Sequence, residues 1–130
     1  MKATKRFGLF ITILFLAASG CESLFQEDGD VNIRIQNASS FNMDSLFVIF
    51  ADDEVLYGDI GSGETTSYKT VSRSYRYAYI ETKVDNHTAV LQPIDFVGES
   101  TLKTGNYTYI LDLINSGDTG YSLTLALRKD

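Results

Sequence analysis

The chain has one cysteine, one proline, one histidine and no tryptophan among its 130 residues. Each scarcity excludes something. A single thiol, Cys21, rules out an intramolecular disulfide and a CxxC-type metal site. A single imidazole, His87, leaves only carboxylates to complete a zinc sphere, so no metal site is expected. Pro93 cannot donate to a β-ladder, so the strand around it is an edge strand or is broken there. Positive charge is scarce too. Of eleven Lys and Arg, three (Lys2, Lys5 and Arg6) precede residue 7, leaving eight against seventeen Asp and Glu, a net charge of −9. A polyanion is repelled by such a surface and finds no basic cluster on it, which argues against nucleic-acid binding. No cofactor is expected.

A long hydrophobic run is also missing. "FGLFITILFLAA" (residues 7–18) is twelve residues without a charge. A hydrocarbon core of about 30 Å needs about 20. The run follows the cationic "MKATKR" and leads through Ala18, Ser19 and Gly20 to Cys21. That is the charged, apolar and small-residue order of an export signal. It resembles a bacterial lipoprotein signal, whose lipobox sets small residues before an obligatory cysteine. Ala18 stands where the family usually has Leu, and Leu16 lies two residues earlier.

The resemblance implies that residues 1–20 are cleaved, that Cys21 is alkylated with diacylglycerol, and that the new amino terminus takes an acyl chain such as palmitate. An ordinary cleaved signal, with Ala17 and Ser19 as its small pair, would instead leave Cys21 a free thiol. One chain holds a protein to a bilayer marginally and two or more hold it stably, at about 0.8 kcal/mol per buried CH₂. The membrane is thus the first expected partner, and the cell envelope (the outer membrane, on its periplasmic or its outer side) the expected location.

"ESLFQEDGD" (residues 22–30) carries Glu22, Glu27, Asp28 and Asp30 and no clear periodicity. With Cys21 it reads as a tether, residues 21–30, whose last nine residues reach at most about 30 Å. Acidic residues soon after the cysteine also resemble the surface-export signal of Bacteroidota lipoproteins. A solvated linker explains them equally well.

From Val31 to Asp130 period-two alternation dominates. "VNIRIQ", "NYTYILDLI" and "YSLTLALRK" alternate cleanly, and "SLFVIFA" is apolar on both faces, as in a central strand covered on both sides. "EVLYGDI", "TSYKTVS", "SYRYAYIETKV" and "TAVLQPIDF" supply the rest. "ADDE" and "VDNHT" read as tight hairpins, and "GSGE", "KTGN" and "SGDTG" as longer turns. The fold expected for residues 31–130 is an all-β, two-sheet antiparallel sandwich of seven or eight strands, and the chain's eight Tyr and eight Phe point to an aromatic-rich core.

"LKTGNYTYILDL" (residues 102–113) resembles the turn into the penultimate strand of immunoglobulin-like, fibronectin-type and transthyretin-like domains. There a tyrosine, here Tyr107, bonds nearby backbone as a tyrosine corner. The Cys and Trp of antibody domains are absent. The order "NAS…GDIGSGETTSY…LKTGNYTY" is similar to that of small Bacteroidota lipoproteins, which implies a location but no activity.

Candidates for chemistry are few. His87 sits beside Asp85, and a triad would need Ser72 or Ser100 brought to them. An exposed loop histidine is the plainer reading. Asp52, Asp53 and Glu54, with Asp59, form an acidic patch lacking the spaced ligands of a calcium loop. No catalytic residue is marked out. "NAS", "NHT" and "NYT" match the N-glycosylation sequon, and "DSL" (residues 44–46) resembles a short O-glycosylation motif of Bacteroidota.

The most distinctive stretch is "SYRYAYIETKV". Ala78, Ile80, Thr82 and Val84 form one face, assigned to the core. Tyr75, Tyr77 and Tyr79 share the other with Glu81 and Lys83. An exposed tyrosine row suits stacking on sugar rings or docking an envelope protein; with the faces reversed or both covered, the rings are core. Two functions follow: a non-catalytic binding or structural module, or a small secreted hydrolase of glycans or cell wall, which would need a deep acidic cleft.

Overall fold

The structure, a computed structural model, describes residues 29–94 and 99–130. The signal segment, Cys21 and the tether as far as residue 28 lie outside the described residues, as do Asp95 and Phe96 of "TAVLQPIDF".

The strands are β1 (Val31–Asn37), β2 (Met43–Ile49), β3 (Glu54–Ile60), β4 (Lys69–Val71), β5 (Tyr79–Val84), β6 (His87–Leu91), β7 (Gly105–Asn115) and β8 (Tyr121–Lys129). They form two four-stranded sheets, ordered β4-β1-β7-β8 and β3-β2-β5-β6. This is a two-sheet β-sandwich. One pairing departs from the expected antiparallel pattern: β1 runs parallel to β7, from Val31 opposite Gly105 to Asn37 opposite Leu111. Alternation specifies which face a residue takes and leaves the direction of the neighbour open.

The alternation seen in the sequence lines the core. Ile33 and Ile35 of β1, Leu46 and Val48 of β2, Ile80 of β5, and Tyr109 and Leu111 of β7 are fully buried. Each such side chain is worth about 1.5–3 kcal/mol of removal from water. Tyr57 reaches across the layers, its hydroxyl donating to the Ile33 carbonyl at 2.9 Å. Burial of that phenol raises its pKa.

β2 is central in its sheet, as its apolar character implies, but its outer face is uncovered. Ile49 is 42% exposed, and Leu56 of β3, opposite Phe47, is 64% exposed. The sandwich has two layers, and among the described residues nothing packs outside this sheet. β6 is an edge strand and stops at Leu91, ahead of Pro93. Only Lys69–Val71 of "TSYKTVS" pairs as a strand.

The two ends of the sandwich differ. At one, β1 and β7 begin and β4 and β8 end, and the β2–β3 hairpin is tied on by Ser72 and Arg73. We call this the entry end. There the Tyr107 hydroxyl donates to the Lys103 carbonyl at 2.8 Å, a tyrosine-corner bond.

At the opposite end Asn37 is fully buried. Its amide donates to the carbonyls of Phe41, Ile60 and Gly61 at 2.7, 3.0 and 3.2 Å, and its oxygen accepts from the Ser39 amide and hydroxyl. The "NAS" match is therefore a structural knot, closed to a glycan.

Candidate functional site

Residues 72–78 carry the chain from β4 in one sheet to β5 in the other, and bonds at four of them, Ser72, Arg73, Ser74 and Tyr75, fix their path. The Ser72 amide and hydroxyl donate to Asp53 Oδ2 at 2.8 and 2.9 Å, and Arg73 pairs with Asp52 at 3.0 Å. The backbone amide of Ser72, with its hydroxyl, holds the Asp53 carboxyl below the usual range. The buried Ser74 hydroxyl shares a 2.8 Å bond with the Tyr109 hydroxyl, and the Ser74 carbonyl accepts from the Leu102 amide at 2.8 Å. Tyr109 in turn donates to the Tyr75 carbonyl at 2.6 Å.

This crossing strap, with the end of β2, builds a groove of about 310 Å³ lined by Arg73, Tyr75, Tyr77 and Tyr79 over Ile49, Phe50 and Ala51. The three tyrosines singled out in the sequence do converge on one surface. Only Tyr79 lies in a strand, because β5 begins there; Tyr75 and Tyr77 belong to the strap. Ala78, Ile80, Thr82 and Val84 are all buried, so the two faces are assigned correctly.

The rings are not equivalent. Tyr77 is 46% exposed. Tyr75 is half-buried, and so is Tyr79, whose hydroxyl donates to Glu81 at 2.8 Å while its ring lies 6.0 Å from that of Phe47. That bond to the Glu81 carboxylate raises the Tyr79 pKa. Tyr77 also borders a second concavity of about 250 Å³ with Leu91, Pro93 and Ile94. Arg73 has no signal in the periodicity, and the Ile49–Ala51 floor is legible only as the end of an apolar strand; the hairpin attachment, a tertiary contact, brings them to the groove.

The other candidates are dispersed. His87 and Asp85 are at the far end, where the Tyr121 hydroxyl donates to Asp85 at 2.7 Å and the Tyr121 ring lies 6.0 Å from the imidazole. Ser72 is at the entry end on Asp53, so no Ser–His–Asp array forms with it. The acidic patch of Asp52, Asp53 and Glu54 with Asp59 is not assembled either, because the length of β3 separates Asp59 from the hairpin. Among the described residues no three His, Cys, Asp or Glu are placed to hold a metal ion.

Asp59 and Glu64 instead border a polar groove of about 350 Å³ with Asn42 and Asp44. Asp59 accepts from the Ser45 amide at 2.8 Å and Glu64 from the Gly61 amide at 2.9 Å. Glu64 thus closes a turn, and Asp59 holds the bulge of β2. Ser45, of the "DSL" match, is exposed in a bulge of β2 at φ +49°.

No protein-family model matches the chain, and no curated protein matches it. Among solved structures it is similar to the NMR structure of a protein from Eubacterium rectale, with a TM-score of 0.54 and 13% identity over 77% of this chain and 89% of that one. At that identity the likeness extends to the fold alone.

Proposed function

We propose that the chain is a lipid-anchored protein of the cell envelope whose β-sandwich acts as a non-catalytic binding module, with the Tyr75–Tyr77–Tyr79 groove as its binding surface. The convergence of three tyrosines and an arginine on one groove with an apolar floor carries the reading. Phenol rings offer broad apolar faces at small entropic cost, and their hydroxyls with the guanidinium offer a few directed hydrogen bonds, the usual make-up of a binding surface. The anchor is supported by the twelve-residue apolar run and the small residues before Cys21.

Mass spectrometry of the protein recovered from membranes tests the anchor: the N-terminal peptide should begin at Cys21 and carry a diacylglyceryl adduct. An unmodified thiol on a secreted product would refute it. Tyr77→Ser tests the surface. Retention of labelled envelope fractions on the immobilised protein should fall several-fold, while the thermal midpoint stays close to wild type, as for other exposed substitutions. Unchanged retention would place the binding surface elsewhere.

A further inference from the structure

The groove and the point where the chain enters the sandwich share one end. β1 begins at Val31 beside Gly105 and Val71, and the strap forming the groove leaves β4 at Val71. Residues 22–30 drawn out fully span at most about 30 Å. A lipid on Cys21 therefore keeps the entry end within that distance of the bilayer. The opposite end can lie farther off by up to the length of β1, about 23 Å for seven residues of strand.

The surface at the entry end suits the layer between headgroups and hydrocarbon. Ile94 is fully exposed, and Tyr77 and Ile49 are 46% and 42% exposed. Leu91 and Pro93 line the concavity between Tyr77 and Ile94. Tyrosine, apolar in its body and polar at its tip, is enriched at that depth. Arg76 and Lys103 are exposed at the same end, and neither pairs with a carboxylate among the described residues. Around them Arg73 and Lys129 stand among Asp30, Asp52, Asp53, Glu54 and Asp130, the last paired with Arg34 and Arg128, whereas the far end sets Asp44, Asp59, Glu64, Asp85 and Asp118 against Lys83 alone. Anionic headgroups repel the far end more than the near one.

We infer that the entry end of the sandwich seats on the lipid surface holding the anchor, with Tyr77 and Ile94 in the interfacial layer and Arg76 and Lys103 against headgroup phosphates. The inference rests on the anchored reading above and names the partner of its groove. An anchored domain needs little affinity for such a surface, because the tether already holds it at high local concentration.

The mature lipidated chain, reconstituted in phosphatidylethanolamine–phosphatidylglycerol vesicles with brominated acyl chains, tests it. A fluorophore is placed on Ile94→Cys in one preparation and on Ser62→Cys, at the far end, in another. The label at 94 should be quenched and the label at 62 spared. Tyr77→Ser should weaken quenching at 94 while leaving flotation with the vesicles intact. Flotation with equal signals at both positions would overturn the seating and leave the anchor standing. Failure to float, with a second label on Cys21, would overturn both. Floating protein unquenched at 94, whose label responds to soluble glycan, would assign the groove to a sugar and refute the lipid contact.

Discussion

The Tyr109 hydroxyl, at the centre of β7, donates a 2.6 Å hydrogen bond to the main-chain carbonyl of Tyr75 in the strap. Its proton being committed there, the oxygen accepts from the buried Ser74 hydroxyl at 2.8 Å. One core side chain thus sets the height of the groove wall. Tyr109→Phe keeps the ring and removes both bonds, leaving the Ser74 hydroxyl and the Tyr75 carbonyl only their mutual 3.1 Å contact, which should cost about 1–2 kcal/mol. Urea unfolding should show a lower midpoint at unchanged slope, and amide exchange at residues 73–77 should quicken before the rest of the sandwich responds. A uniform rise in exchange would refute the local role.

Burial pushes the phenols of Tyr109 and Tyr57 above their ordinary range. In the unfolded chain both ionise near pH 10. Folding holds them protonated, so their contribution is complete below about pH 10 and lost as the pH rises further. The thermal midpoint should fall steeply on the alkaline side, and Tyr109→Phe should flatten that slope. A flat midpoint up to pH 12 would contradict the burial of these hydroxyls.

Asp130 behaves in the opposite sense. Desolvation alone would raise its carboxyl, but hydrogen bonds from Thr108 at 2.6 Å, Tyr68 at 2.5 Å and Arg128 at 3.0 Å, with Arg34 at 3.5 Å, bring it to about 2. The stabilisation is present above the unfolded value near 4 and lost as the pH falls from there towards 2. Asp130→Asn should therefore lower stability at neutral pH and remove part of the acid slope. An acid limb identical to wild type would show that the network contributes nothing.

Asn37→Ala should be the most damaging of the polar substitutions. It removes five hydrogen bonds at a closed end and deprives the Ser39 amide and the Ile60 carbonyl of their side-chain partner, at a cost on the order of 3 kcal/mol. The Phe41 carbonyl keeps the Ser39 hydroxyl, and the Gly61 carbonyl keeps the Glu64 amide. Thermal or urea unfolding measures it; a loss below about 1 kcal/mol would indicate that water replaces the amide.

Much of this architecture was legible because burial on one face of a strand writes itself as alternation. Ile33 and Ile35, Ile80 and Val84, and Tyr109 and Leu111 were all read to the correct side. Two things were not. The parallel run of β1 beside β7 has no local signature, since partners far apart in the chain do not alter the period. The strap reads as strand through Tyr75 and Tyr77 because they continue the alternation of Tyr79, yet its backbone bonds go to Tyr109 and Leu102. The tyrosines were found by type and spacing. Arg73 joined them through a carboxylate twenty-one residues away.

The ladder between residues 31–37 and 105–111 also sets a timetable for the nascent chain. The first strand of the domain has no central partner until the seventh is made, and closing a loop that long is entropically slow. In the interval the apolar row of Val31, Ile33 and Ile35 stands open to any passing strand. A polypeptide arranged this way stays pliant while it is synthesised and locks only near its end. Truncation before residue 105 should therefore leave a molten or aggregating product rather than a smaller sandwich.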